Sequence, residues 1–157
     1  MKKITVKIDG MMCGMCEAHI CDTIRRTLPD AGKVSASRIK GEASFLSENS
    51  IDEEILKKAI NDTGYTMNWF YYFENVPGKD EYYITHKQCG IRKLTEQEHC
   101  REITKYLCMM DYYTFERQGA VLDRTKTLGY GDDECNFHLM SKERAEEIGF
   151  VKNPDAK

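Results

Sequence analysis

Gly10-Met11-Met12-Cys13-Gly14-Met15-Cys16 decides how the first half of this chain is read. The stretch follows an alternating run, Ile4-Thr5-Val6-Lys7-Ile8, and precedes Ile20, Ile24 and Leu28, apolar residues spaced four apart. A period of two giving way to a helical period predicts a strand, a loop and a helix, with both cysteines where the loop enters the helix. A helix start presents free N–H groups and a partial positive charge, which favours thiolate over thiol and pulls a cysteine below its ordinary pKa of about 8.5. Thiolates are soft donors, and they select Cu(I), Zn, Cd or Hg(II) over hard, oxygen-seeking ions. Redox dithiols and zinc knuckles share the C-x-x-C spacing, so the flanks carry the assignment. Gly10 permits a tight approach, and Met11 can plug the core beneath the loop.

Working outward, Pro29-Asp30-Ala31-Gly32 ends the first helix, because Pro cannot continue it and Gly turns the chain. Residues 34–38 and 43–46 flank Lys40-Gly41-Glu42 as a hairpin. Ser50, with Glu53 three residues on, reads as the capping box of a second helix, whose buried face would be Ile51, Ile55, Ala59 and Ile60. The aromatic run 65–73 makes a last strand. The order β-α-β-β-α-β predicts the split ferredoxin-like sandwich.

Gly10, Met11, Cys13, Cys16 and Ile20, together with the later run Ala59-Ile60-Asn61-Asp62-Thr63-Gly64-Tyr65, carry a resemblance. Residues 3–68 resemble the heavy-metal-associated domain of copper chaperones and metal-pumping ATPases. Met12 stands where that family usually has a polar residue, and Cys21 is an additional thiol. The resemblance implies one ion held between Cys13 and Cys16, Cu(I) foremost with Zn, Cd or Hg(II) as alternatives. It also implies delivery to a metal-transporting ATPase or another thiol-bearing acceptor, and a Tyr65 that faces the thiols.

With 157 residues the chain has room for a second small domain, and we read 1–73 as the metal-associated domain, 74–80 as a Pro-Gly linker and 81–157 as a small, cysteine-rich α+β domain. The net charge of −3 and pI near 5.8, with no one-sided Lys/Arg cluster, argue against a nucleic-acid footprint. Nowhere do 18 apolar residues run together, and the N-terminus lacks an apolar leader, so no membrane insertion and a cytoplasmic location are expected. Seven cysteines, an odd number, in a reducing compartment are ligands or reactive thiols rather than a disulfide framework.

In the second half we expect a strand at 81–85, a helix capped by Thr95, strands at 112–115 extended through 120–122 and at 135–140, and a short helix from Ser141. His86-x-x-Cys89 and Cys135-x-x-His138 have ligand-like spacing, and Cys89, Cys108, Cys135 and His138 are candidates for a second metal site. Cys89, Cys108-Met-Met-Asp111, Arg124-Thr-Lys-Thr-Leu128, Gly131 and Cys135-Asn136-Phe137 carry a second resemblance. Residues 81–140 resemble the C-terminal part of the L-2-amino-thiazoline-4-carboxylic acid hydrolase-like family, with Gly90 where Pro is usual and Asn136 where Asp is usual. That resemblance implies a cysteine-dependent hydrolase of a non-peptide C–N bond in a small heterocycle or amide. Its catalytic residues would be Cys108 or Cys135 as nucleophile, Asp111 to orient or transfer a proton, and His138 as base. The leading expectation remains soft-metal binding and transfer or sensing, with the second domain as internal acceptor or second site.

Overall fold

The computed structural model describes residues 2–152, an α+β chain that divides into two compact units between Tyr72 and Phe73. In the first unit the elements follow the expected order: β1 (Lys2–Asp9), α1 (Gly14–Thr27), β2 (Gly32–Ser37), β3 (Glu42–Ser47), α2 (Glu53–Asn61) and β4 (Thr66–Asn75), whose last residues belong to the second unit. The strands lie in the order β2-β3-β1-β4, with β3 antiparallel to both β1 and β2. Ile4, Val6 and Ile8 alternate inward from β1 and meet Ile20, Ile24, Leu56, Ile60, Phe45, Met67 and Phe70 in one core. Burying side chains of this size contributes about 1.5–3 kcal/mol each, which is what seats both helices on the sheet.

Two details of α2 differ from expectation. Its cap is Asp52, whose Oδ1 accepts the N–H groups of Glu54 at 3.0 Å and Ile55 at 3.2 Å, and not Ser50. A carboxylate at the positive end of the helix gains from charge as well as hydrogen bonding. The helix therefore starts later, its buried face turns to Leu56 and Ile60, and Ile55 is left exposed. The expected linker also shortens, since β4 runs on to Asn75 and only the turn around Pro77-Gly78 separates it from β5.

The second unit holds β5 (Glu81–Gln88), α3 (Gly90–Gln97), a 3-10 turn at Arg101–Ile103, α4 (Thr104–Arg117), β6 (Ala120–Asp123), a 3-10 turn at Leu128–Tyr130, β7 (Cys135–Ser141) and α5 (Lys142–Glu147). Thr95 does not cap a helix; it is buried inside α3, where its hydroxyl meets that of Thr104 at 2.6 Å. The expected strand at 112–115 is the last part of α4. β7 is antiparallel to β5 and to β6, in the order β5-β7-β6. Cys135, Phe137 and Leu139 point from β7 into a core completed by Leu122, Leu128, Tyr82, Ile84, Cys89, Tyr112 and Phe115. Alternation sends Asn136 and His138 to the other face.

Candidate functional site

The dithiol loop is built by its neighbours. Gly10 has φ +100, and a Cβ there would stand 3.3 Å from Cδ1 of Tyr65, so glycine both turns the chain and lets the phenol approach. Met11 is buried in the core below, which ties the loop down. Cys13 is the N-cap of α1 in an extended conformation, and the two sulfurs, Cys13 Sγ and Cys16 Sγ, lie 3.5 Å apart. The Tyr65 hydroxyl donates to Cys16, and with backbone hydrogen bonds from Met12 and Cys13 it lowers that thiol to about 6; the same bond raises the Tyr65 phenol. His19, with its ring edge-on to Tyr65 at 5.8 Å, braces the phenol. Met12 and Met15 stand exposed beside the pair. Cys21 is a different kind of thiol, pushed up by burial.

This contrast has a chemical consequence. In the metal-free protein Cys16 is mostly thiolate at neutral pH, and its thiolate fraction falls as pH drops through about 6. Pulsed iodoacetamide labelling read by peptide mass spectrometry is expected to show Cys16 reacting with a midpoint near that pH and Cys21 only in alkali. Replacing Tyr65 with Phe should move the Cys16 midpoint upward; an unchanged midpoint would remove the phenol from the account.

In the second unit the thiols share a core region without forming a chelate. Cys135 Sγ accepts the Leu128 N–H at 3.2 Å and lies 3.4 Å from the Thr127 hydroxyl. Cys108 Sγ fills the space where a Cβ on Gly129 would be, at 2.5 Å from that position. Cys89 caps α3 and joins the same core. Burial raises Cys89 and Cys135, and the charge of Cys108 raises each of them further. Among the described residues no group of three or more His, Cys, Asp or Glu side chains could hold a metal ion. His138 does not join the cysteines. It is on the opposite face of β7, with Nε2 3.0 Å from Glu81 and its ring stacked on Tyr83 at 4.3 Å. The four-donor site suggested by the two x-x spacings is therefore not assembled, because an odd spacing on a regular strand reverses the side chain.

The histidine beside Cys135 is His86, directly opposite it in the β5–β7 register and edge-on to Phe137 at 5.2 Å. Burial, aided by the charge of Arg124, lowers His86 to about 4, which leaves its imidazole neutral at pH 7. Asp111 is engaged by Arg124, whose Nη1 reaches its Oδ2 at 2.7 Å while Nη2 donates to the Cys108 carbonyl at 2.8 Å. Burial raises the Asp111 carboxyl, and the arginine works against that rise. Asn136 supplies an acceptor and a donor to the neighbouring loop. Its Oδ1 takes the N–H groups of Thr125 at 3.1 Å and Lys126 at 2.6 Å, and its Nδ2 donates to the Thr125 hydroxyl at 2.8 Å, so it shapes the loop that carries Arg124 and Thr127.

The fit at Gly129 is testable. Gly129→Ala forces its methyl onto Cys108 Sγ and is expected to cost about 1–3 kcal/mol in thermal or urea unfolding. Adding Cys108→Ala should recover most of that loss; no loss in the single variant would mean the two residues do not meet.

Solved structures similar to this chain include a copper-binding domain from the P-type ATPase HMA7, at 26% identity and TM-score 0.38, covering 43% of this chain and 90% of that one. The yeast copper transporter domain CCC2A is similar at 22% identity and TM-score 0.39, covering 43% and 92%. The CopZ metallochaperone is similar at 20% identity and TM-score 0.37, covering 41% and 97%. No curated protein matches the chain. The sequence model of the L-2-amino-thiazoline-4-carboxylic acid hydrolase family matches residues 8–139, a wider span than 81–140 and one that takes in the dithiol loop. With most of its length inside that match, the chain belongs to the L-2-amino-thiazoline-4-carboxylic acid hydrolase family.

Proposed function

We propose that the chain binds one soft metal ion, Cu(I) before Zn, Cd or Hg(II), between Cys13 and Cys16 and passes it on by thiolate exchange. The observation that carries this reading is the pair of sulfurs 3.5 Å apart at the mouth of α1. Two thiolates satisfy a d10 ion of low coordination number, whereas Zn would call for two more donors. An incoming cysteine forms a three-coordinate intermediate before an original ligand leaves, so the ion is never free. The acceptor is a thiol-bearing partner, a metal-transporting ATPase among them. Cys89 and Cys135 are poorer acceptors than an exposed thiolate, because burial keeps them protonated. Titration of the reduced chain with Cu(I) against bathocuproine tests the assignment. One ion per chain is expected, and the same stoichiometry in Cys108→Ser/Cys135→Ser; copper lost in that variant would move the site to the second unit.

A second reading rests on the family match: hydrolysis of a non-peptide C–N bond in the second unit. Cys135, or Cys108 beside it, attacks the substrate carbon as its thiol proton passes to His86, in the role first given to His138; the C–N bond breaks, the nitrogen leaves with that proton, and water then frees the thioester, while Asp111 is positioned by Arg124. Loss of 2-aminothiazoline carboxylate hydrolysis in Cys135→Ala and His86→Gln, with Cys13→Ser/Cys16→Ser still active, is the expected result. Activity that survives in both second-unit variants would sink this reading.

A further inference from the structure

We propose that the outward face of α4 is a self-association surface on which the same helix of a second copy of this chain docks antiparallel across a two-fold axis. At about 100° per residue, Thr104, Cys108, Asp111 and Phe115 lie on one side of α4, and Tyr112 and Phe115 pack into the core there. Tyr106, Met109, Met110 and Tyr113 lie on the opposite side, with Ile103 in the 3-10 turn just before the helix, and they are open: Tyr106 is 61%, Met110 56% and Tyr113 60% exposed. A helix that is apolar on both faces is ordinarily covered on both. Tyrosine and methionine, which dominate the open face, are the residue types enriched at protein interfaces.

The occupant follows from the order of residues along that face. Read from its centre between Met109 and Met110, the stripe is complementary to itself. A two-fold axis at that point sets Met109 against the partner's Met110 and Tyr106 against the partner's Tyr113. It also sets Glu102 against the partner's Arg117, and places Glu116 opposite the partner's Ile103, within about one turn of the partner's Lys105. All four charged residues are exposed. Every contact occurs twice, as an isologous interface requires, and at both ends Glu102 meets the opposite charge of Arg117. The five apolar side chains offer on the order of 500 Å² per copy, below the roughly 800 Å² of a standard interface, which places the dimer at the weak end with dissociation in the micromolar range.

Sedimentation velocity of the full reduced chain, from low micromolar to a few hundred micromolar, tests the proposal. A reversible monomer–dimer equilibrium is expected. Met110→Glu should raise the dissociation constant at least tenfold with an unchanged far-UV CD spectrum, and Tyr106→Ser, a milder change at another exposed position, should do so less. Arg117→Glu and Glu102→Arg should each weaken the dimer several-fold, and the double variant should return it to within about twofold of the wild type. A monomer at every concentration overturns the proposal, whether another unit or another protein covers the face. So does a dimer indifferent to Met110→Glu, or a double charge reversal no better than the single ones.

Discussion

Replacing Cys13 and Cys16 together with serine is expected to lower Cu(I) affinity by at least four orders of magnitude, on the order of 5 kcal/mol, with no loss of fold. The size follows from the chemistry, since hydroxyl oxygen is a hard donor with little affinity for Cu(I) and the described residues bring no third His, Cys, Asp or Glu side chain to the pair. The fold survives because Met11, Ile20 and Ile24 beneath the loop form the buried core there, while Cys16 only packs against its edge and Cys13 is outside it. Competition with bathocuproine or bicinchoninate reads the change directly. The single variants should fall between the two extremes, with Cys16→Ser the more damaging because that sulfur receives the Tyr65 hydroxyl and two backbone hydrogen bonds. Affinity within tenfold of the wild type in the double variant would contradict the assignment.

The second large effect is expected at Arg124. Its side chain is fully buried, it bonds Asp111 and the Cys108 carbonyl, and its guanidinium lies between the rings of Tyr112 at 5.2 Å and Phe137 at 5.0 Å. Arg124→Ala removes both hydrogen bonds, leaves a raised carboxyl without its partner and opens a cavity, a combination expected to cost about 3–5 kcal/mol. Arg124→Met keeps the stem packing and should cost less, because the Asp111 side chain is 37% exposed and can regain water. Arg124→Met/Asp111→Leu should recover part of the loss, since no charge is then stranded. Hydrogen exchange at the amides of β6 and β7 is the suitable measure, because Trp69, the single tryptophan, reports on the first unit. A loss below about 1 kcal/mol for Arg124→Ala would show that the buried cation is not a structural tie.

What the sequence made legible is the first unit and its loop. There the strand period of two and the helix spacing of four do not compete, and Gly10, Met11, Cys13, Cys16 and Tyr65 fall where the strand-loop-helix pattern sets them. The position of the Tyr65 hydroxyl was the finer point, and it depends on the absence of a Cβ at Gly10, a fact of packing more than of pattern. The second unit was read less well for identifiable reasons. α4 carries apolar residues on two opposite faces, so the helical period cancels, and Tyr112-Tyr113-Thr114-Phe115 has the composition of a strand. Thr95 has the residue type of a helix cap but lies in the last turn of α3, a helix that begins at Gly90 and ends at Gln97. His86 could not be paired with Cys135 from spacing, because that pairing is a property of register between strands about 50 residues apart in the chain.

X-ray absorption at the copper edge on the chain loaded anaerobically with one equivalent of Cu(I) addresses the central claim most directly. The expected spectrum is that of Cu(I) with two sulfur ligands and no nitrogen, unchanged by Cys108→Ser/Cys135→Ser and absent from Cys13→Ser/Cys16→Ser. A nitrogen-bearing first shell, or a two-sulfur spectrum that persists without Cys13 and Cys16, would contradict it.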